Sequence, residues 1–352
     1  MGAKRSILPV FIPHVGCPYA CVFCNQHAIT GKAADEADDA LDELLREAGT
    51  APDCREDEKY GSRLNRELAF YGGSFTALPP GQQLRWLEKA KQALDAGLVS
   101  SIRLSTRPDA IDEDTLSRLR LFGVETVELG AQSMRDEVLC RSGRGHTAED
   151  VRKASRLIRN AGFSLVLQMM TGLPGDNDEG ALETARELIS LRPDAVRIYP
   201  AVIVRGTELE RLWRTGVYRE HTVEDAVRIC SCLLPLFEAA GIPVIRLGLN
   251  PTDLLSSGEA LAGAYHPALG ELVRSRVLRN RMEEQLSSAD CRGRDVEILV
   301  PPALLSQAVG QKKCNVCWLA DRFFLSSLRI YACPDLFLPR DIRVRVLNTD
   351  LI

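Results

Sequence analysis

Phe11-Ile-Pro-His-Val-Gly-Cys-Pro-Tyr-Ala-Cys-Val-Phe-Cys-Asn-Gln-His27 puts Cys17, Cys21 and Cys24 in a C-x3-C-x2-C spacing, directly after the apolar run Ile7 to Ile12. Three thiolates within one loop can converge on a soft metal centre. A [4Fe–4S] cube usually takes four cysteines, so three close ones leave one iron open to bind something else. The same logic governs catalytic zinc, where the missing protein ligand is the reactive position. A zinc knuckle completed by His14 or His27 is the structural alternative.

Outward from this loop the chain acquires a beat. Residues 32 to 60 are acidic and read as a solvated helix around Asp35 to Ala48 plus a polar linker holding Cys54. From residue 67 short apolar runs alternate with helical patterns, as βαβ units do. Strands are expected at Ile7–Ile12, Glu67–Tyr71, Ser101–Leu104, Val124–Leu129, Ser164–Met169 and Ala195–Tyr199. Helices are expected near Pro80–Ala96, Asp112–Leu121, Thr147–Ala161, Asp178–Leu191 and His221–Ala240. That makes about six βα units, a partial TIM-like barrel, with Pro243–Leu247 a further run able to extend the sheet. A doubly wound sheet is the structural rival. The expected division is a core over 1–250 and a C-terminal extension over 251–352.

Every polar motif falls at a predicted C-terminal strand end, where parallel barrels place their chemistry. Tyr71-Gly-Gly-Ser-Phe-Thr76 lets backbone groups approach a ligand at Gly72, Gly73 and Ser74, or is a plain turn. Ser105-Thr-Arg-Pro-Asp109 offers the Arg107 fork, for a carboxylate, for ribose oxygens or for Asp109. Val127-Glu-Leu-Gly-Ala-Gln-Ser133 supplies Glu128, Gln132 and Ser133. In Arg144-Gly-His-Thr147, Thr147 reads as an N-cap, and His146 as a loop or ligand contact. Gln168-Met-Met-Thr-Gly-Leu-Pro-Gly-Asp176 brings Gln168, two methionines that read as core, and a turn able to wall a ligand. Arg197, inside an apolar strand, must find a partner or face a polar cavity, because burying it unpaired is costly.

The cysteine spacing, with Phe23 before the last Cys, resembles the radical S-adenosylmethionine (radical SAM) superfamily. The ordered series of motifs from residue 7 to about 220 is similar to the catalytic subunit of Elongator, and Arg246-Leu-Gly-Leu-Asn-Pro and Ala262-Gly-Ala-Tyr-His-Pro267 to bacterial Elongator-like radical SAM proteins. The resemblance implies a [4Fe–4S] cluster on Cys17, Cys21 and Cys24. It implies S-adenosylmethionine on the open iron, cleaved reductively to a 5′-deoxyadenosyl radical. It assigns the cofactor's seat to Gly72, Gly73, Ser74, Arg107, Glu128, Gln132, Gln168 and Arg197. The superfamily often has Glu where Ser74 stands. An electron donor of flavodoxin or ferredoxin type and a tRNA substrate follow from the same resemblance. A small-molecule substrate, as in the relatives acting on porphyrinogens, and a non-catalytic iron–sulfur RNA-binding regulator are the alternatives. Only about 100 residues follow the barrel, with no glycine-rich acyl-CoA loop opening a helix, so the acetyl-transfer half of the Elongator subunit is not expected here.

Composition agrees with an ordinary globular chain: 352 residues, 45% hydrophobic, 26% charged, net charge −4. That balance argues against a generally basic nucleic-acid binder but not against a local patch. No membrane span or signal peptide is read, and the 11 cysteines do not form a secreted disulfide framework, so a reducing cytoplasm is expected. Arg274, Arg276, Arg279 and Arg281 crowd one predicted helix, as a phosphate-binding face or a solvated one. Cys291, Cys314, Cys317 and Cys333 are compatible with a second metal or with free thiols, while Cys230 and Cys232 read as core.

Overall fold

The computed structural model describes residues 6–12, 17–25, 37–50, 66–253, 255–337 and 341–347. His14, His27 and Cys54 lie outside them. The chain forms two compact units, one of Met1–Thr222 with Leu236–Tyr265, the other of Val223–Pro235 with His266–Ile352. This division comes later than the expected boundary at 250.

The first unit is built on strands β1 (Ser6–Phe11), β2 (Arg66–Tyr71), β3 (Ser101–Thr106), β4 (Val124–Gln132), β5 (Ser164–Thr171), β6 (Ala195–Pro200), β7 (Val202–Val204), β8 (Val244–Leu247) and β9 (Ala260–Gly263). Its helices are α1 (Ala37–Thr50), α2 (Pro80–Asp95), α3 (Glu113–Leu121), α4 (Asp136–Arg141), α5 (Ala148–Asn160), α6 (Asp178–Ser190) and α7 (Glu208–Arg214). Seven strands make one sheet in the order β1-β2-β3-β4-β5-β6-β8, with every pairing parallel. A doubly wound sheet reverses its strand order at a switch point. Here the order follows the sequence without reversal, which selects the curled partial barrel over its rival. The run at Pro243–Leu247 does extend the sheet, giving seven strands where six units were expected. β7 and β9 form a separate antiparallel pair.

Strands covered on both faces need near-continuous apolar runs, and β4 has one exposed residue, Glu125, in its nine. Helix α5 buries Val151, Ala154, Ser155 and Ile158, a stripe of three- and four-residue steps, and starts with a capping box between Thr147 and Asp150. Trp86 of α2 is 1% exposed and stacks on Phe70 of β2 with ring centroids 6.1 Å apart. Replacing such a side chain by Ala costs about 3–5 kcal/mol.

The second unit holds part of α8 (Val223–Ala239), α9 (Leu269–Ser287), β10 (Asp295–Val300), α10 (Leu305–Val309), α11 (Cys314–Phe323), β11 (Ser327–Ala332) and β12 (Arg343–Leu347). Pro235 lies inside α8, and the division falls just after it. The sheet order is β11-β10-β12, parallel between β10 and β11 and antiparallel between β10 and β12. Leu278, Met282 and Leu286 of α9 pack on Val296, Ile298 and Val300 to form its core. Cys291 is in that core, Cys230 is buried, and Cys314 and Cys317 are exposed. Cys232 is exposed rather than core, its Sγ turned to the Arg228 carbonyl of its own helix at 3.6 Å. The arginines of α9 do not form an open cationic face. Arg276 pairs with Glu224 at 2.8 Å, and the Arg279 guanidinium stacks 4.3 Å from the Trp318 ring centre. No helix among the described residues is long and apolar enough to cross a membrane.

Candidate active site

A cavity of about 470 Å³ opens at the C-terminal ends of the parallel strands, and Cys17, Cys21 and Cys24 line it together with Gly72, Gly73, Ser74, Arg107, Glu128, Gln132, Gln168 and Arg197. Alternation along each strand explains the set, because every second side chain faces the same way. Tyr71, Glu128 and Gly130, Gln168 and Met170, and Arg197 and Tyr199 all obey it.

The rim is the cysteine loop. It is held by the segment after α4: the Val22 amide donates to the Ser142 carbonyl at 3.1 Å, and Arg144 Nη1 donates to Cys21 Sγ at 3.2 Å. Gly143 and Gly145 stand at φ +64° and +73°. A Cβ at Gly145 would come within 2.5 Å of the Tyr19 ring. Tyr19 in turn lies under Arg107, 4.7 Å from guanidinium carbon to ring centre. Arg107 forms the anticipated fork to Asp109, at 2.9 and 3.1 Å, and donates to the Arg144 carbonyl.

The floor is a buried ion chain. Glu67 accepts from Arg103 at 2.9 Å, and Arg103 donates to Glu128 Oε1 at 2.6 Å. Arg197 donates to the same oxygen at 2.9 Å and to the Tyr71 hydroxyl at 2.8 Å. Gln168 donates to Glu128 Oε2 at 3.0 Å and to Ser105 Oγ at 3.3 Å. Two carboxylates and two guanidiniums thus alternate across β2, β3, β4 and β6, and Arg197 has the partner its burial demanded. Despite desolvation, Glu128 holds the Arg197 guanidinium protonated well above its ordinary range. Burial and the neighbouring carboxylate push the Tyr71 phenol up as well.

The structure separates the alternatives for the remaining candidates. The Ser74 hydroxyl is turned inward, sharing a 3.0 Å hydrogen bond with Thr106 and accepting from the Arg107 amide at 3.2 Å, so what it offers the cavity is backbone. The Gly172–Gly175 turn does not wall the cavity. Gly172 packs against the His221 ring, and its carbonyl accepts from Tyr218 at 2.6 Å. His146 is a loop contact, its Nε2 3.2 Å from the Ala131 carbonyl, and burial lowers its pKa to about 4. Met169 is fully buried, whereas Met170 joins a core cluster and also lines the cavity. Glu67, Arg103, Gly143 and Gly145 were not singled out from the sequence. An acid and a cation inside apolar strands were the available signal for the first pair, the same rule that flagged Arg197.

Gln132 sits at a β-bulge, where the register of β4 on β5 steps from Gly130–Gln168 to Gln132–Met169. Bulges beside active sites re-aim side chains, and Gln132 takes φ +64°. Its Oε1 is buried without a hydrogen-bond partner. An acceptor left open in a cavity wall fits a ligand carrying an N–H or O–H donor.

Among the described residues no three His, Cys, Asp or Glu side chains form a site for a single metal ion. A cubane makes a different demand, since each thiolate takes its own iron corner. Three thiols on one cavity wall suit it. Burial and the adjacent Cys21 push the Cys17 thiol up, against the pull of Arg107, Arg144 and the Ser74 amide. Both guanidiniums therefore face the place where thiolate charge would collect.

Comparison with known proteins agrees. The model of the radical SAM superfamily matches residues 11–188, and that of the radical SAM C-terminal domain matches 193–279. A tRNA uridine(34) acetyltransferase of Methanocaldococcus jannaschii is 31% identical over 49% of this chain and 36% of its own length. Human Elongator complex protein 3 is 28% identical over 66% of this chain and 44% of its own. The chain thus spans less than half the length of these relatives. The solved structure of archaeal Elp3 from Methanocaldococcus infernus shares the fold, with a TM-score of 0.59 at 22% identity over 83% of this chain and 66% of that one. With half of its length matched by the family model and its cysteines gathered at the strand ends, the chain belongs to the radical SAM superfamily of enzymes.

Proposed function

We propose that this enzyme holds a [4Fe–4S] cluster on Cys17, Cys21 and Cys24 and cleaves S-adenosylmethionine reductively. The observation that carries the reading is the gathering of all three cysteines, the Gly72–Ser74 backbone and the open Gln132 acceptor in one cavity. The bound cluster and its ligand supply the radical chemistry; the protein supplies binding, orientation and exclusion of water. Gly72 and Gly73 admit backbone contact. Gln132 accepts a hydrogen bond from the ligand, and the rim guanidiniums balance thiolate charge. The Glu128 chain holds Tyr71, Gln168 and Arg197 in fixed orientations on the floor. Replacing the three cysteines by Ala in anaerobically reconstituted protein is expected to abolish both iron binding and 5′-deoxyadenosine formation. If the triple variant still makes deoxyadenosine, the assignment is wrong.

For the substrate we propose RNA, specifically tRNA, supported by the names of the relatives that the chain matches. Mass spectrometry of tRNA nucleosides from cells with and without the gene tests this. An unchanged nucleoside profile, with deoxyadenosine still formed by the enzyme, moves the reading to a small-molecule substrate.

A further inference from the structure

The radical chemistry occupies the first unit and leaves the second without a task. Its middle is one continuous motif: β10, α10, a four-residue loop, α11 and β11, with β10 and β11 parallel. The loop is Gly310-Gln-Lys-Lys313. Gly310, Lys312 and Lys313 all have positive φ, at 77°, 51° and 62°. Non-glycine residues rarely adopt that region, and consecutive ones store strain that is retained where it serves a site.

The loop is fixed from behind. Asn315 is 2% exposed and donates to the Gln307 and Ala308 carbonyls of α10 and to the Ser275 carbonyl of α9, each at 3.1 Å. In front it is open: Lys312 and Lys313 are exposed, and neither has an ion-pair partner among the described residues. From 266 to 352 there are thirteen Lys and Arg against ten Asp and Glu, in a chain of net charge −4. That stretch is net positive by three, and the 223–235 segment of the same unit adds Glu224 and Asp225 against Arg228.

Topology places an edge of the sheet beside the loop. The chain leaves the C-terminal end of β10, makes the short α10, and must return along α11 to the start of β11. The loop hence lies toward the end of the sheet where β11 finishes. Leu328 and Ile330 of β11 turn to the core beneath the helices, so by strand alternation Tyr331, 40% exposed, faces away from the loop. β11 is also an edge strand of the sheet, as β12 is, and among the described residues no other strand pairs with its outer row of backbone groups. Unpaired cations suit the phosphate backbone of a single strand, and the free edge of β11 offers backbone donors and acceptors to its unpaired base edges. Two strands and two helices joined by a short gripping loop are also how KH modules hold four nucleotides of backbone.

We infer that the second unit binds single-stranded RNA, with the Gly310–Lys313 loop against the phosphates and the free edge of β11 against the bases. This deepens the RNA reading of the substrate but does not depend on the radical chemistry. The test uses the full-length protein and a fluorescein-labelled single-stranded RNA, followed by anisotropy across a salt series. Lys312→Asp with Lys313→Asp is expected to weaken binding about tenfold or more. Lys312→Gly with Lys313→Gly removes the charges while relieving the left-handed strain. Its melting temperature should not fall, while the slope of log K against log salt drops by about 1.4. The outer-helix control Lys153→Glu with Arg186→Glu should bind as wild type does. Loop variants that bind as tightly as wild type, with an unchanged salt slope, overturn the inference and leave the RNA reading standing. Equal affinity for the same sequence as a duplex overturns the single-strand assignment. Wild-type protein that binds no RNA removes both, whereas RNA binding without deoxyadenosine formation removes only the radical reading.

Discussion

The rim and the floor of the cavity are held together by opposite means. At the rim the Cys17–Asn25 segment is gripped by backbone hydrogen bonds, two left-handed glycines and one arginine on a sulfur. On the floor, Glu67, Arg103, Glu128 and Arg197 share charges that are almost out of water, with Glu128 fully buried. A buried charge left without its partner destabilises far more than a lost surface contact. The floor therefore sets stability, and the rim sets whether the cysteines are presented together.

The strongest attack on this contrast is Glu128→Gln. It strips Arg197 of its only acid partner among the described residues and leaves Arg103 with Glu67. We expect a loss of about 3–5 kcal/mol in urea unfolding of the anaerobic apoprotein, with iron uptake per folded molecule near wild type. A loss below 1 kcal/mol would erase the distinction. His146, behind the rim, gives the next effect. Its ring is held neutral down to a pKa of about 4, against about 6.5 in the unfolded chain. Its contribution is therefore complete above pH 6.5 and disappears as pH falls toward 4, about 3 kcal/mol in all. His146→Gln should flatten that acid limb in melts taken from pH 7 to pH 4.

Gly145→Ala tests the rim alone. With φ +73° and the Tyr19 ring 2.5 Å from the new methyl, it should cost about 1–3 kcal/mol and lower iron content after reconstitution. Normal iron content in a stable protein would show that Tyr19 does not hold the loop. Asp176 belongs to neither region and calibrates both. Burial pushes its carboxyl up to about 6, above about 3.9 in the unfolded chain. Its contribution thus favours the fold only at low pH and is lost as pH rises from about 4 to 6. Asp176→Asn should stabilise at pH 7 by about 1–3 kcal/mol, a gain that vanishes below pH 4.

The rim was more legible in the sequence than the floor. Cysteine spacing, a Gly-Gly turn and an Arg-Pro-Asp turn are local patterns, and each marks a strand end within a few residues. The floor depends on register, which no short stretch contains. Ser105 pairs with Glu128 and Gln168 with Arg197, while Glu128 lies opposite Val166, so Glu128 meets Gln168 and Arg197 only on the diagonal that the register sets. Arg197 was flagged because a buried guanidinium needs an acid, but which acid was unreadable. Glu67 and Arg103 carried the same signal. Gly145 was invisible for another reason, since its value lies in a Tyr19 ring more than a hundred residues away. In the second unit the arginine-rich helix drew attention by composition, yet its stems pack against Trp318 and Glu224. The two exposed lysines follow a glycine in a stretch without periodicity.

The dryness of the Glu67–Arg197 chain has a practical corollary. Mobile ions screen wet charges within about 8–10 Å at moderate salt but scarcely reach desiccated ones. Concentrated brine should therefore wash a polyanion from the protein's surface while the interior beneath the cysteines keeps its shape. Purification at high ionic strength would then yield protein free of bound polyanions whose cavity has not been disturbed.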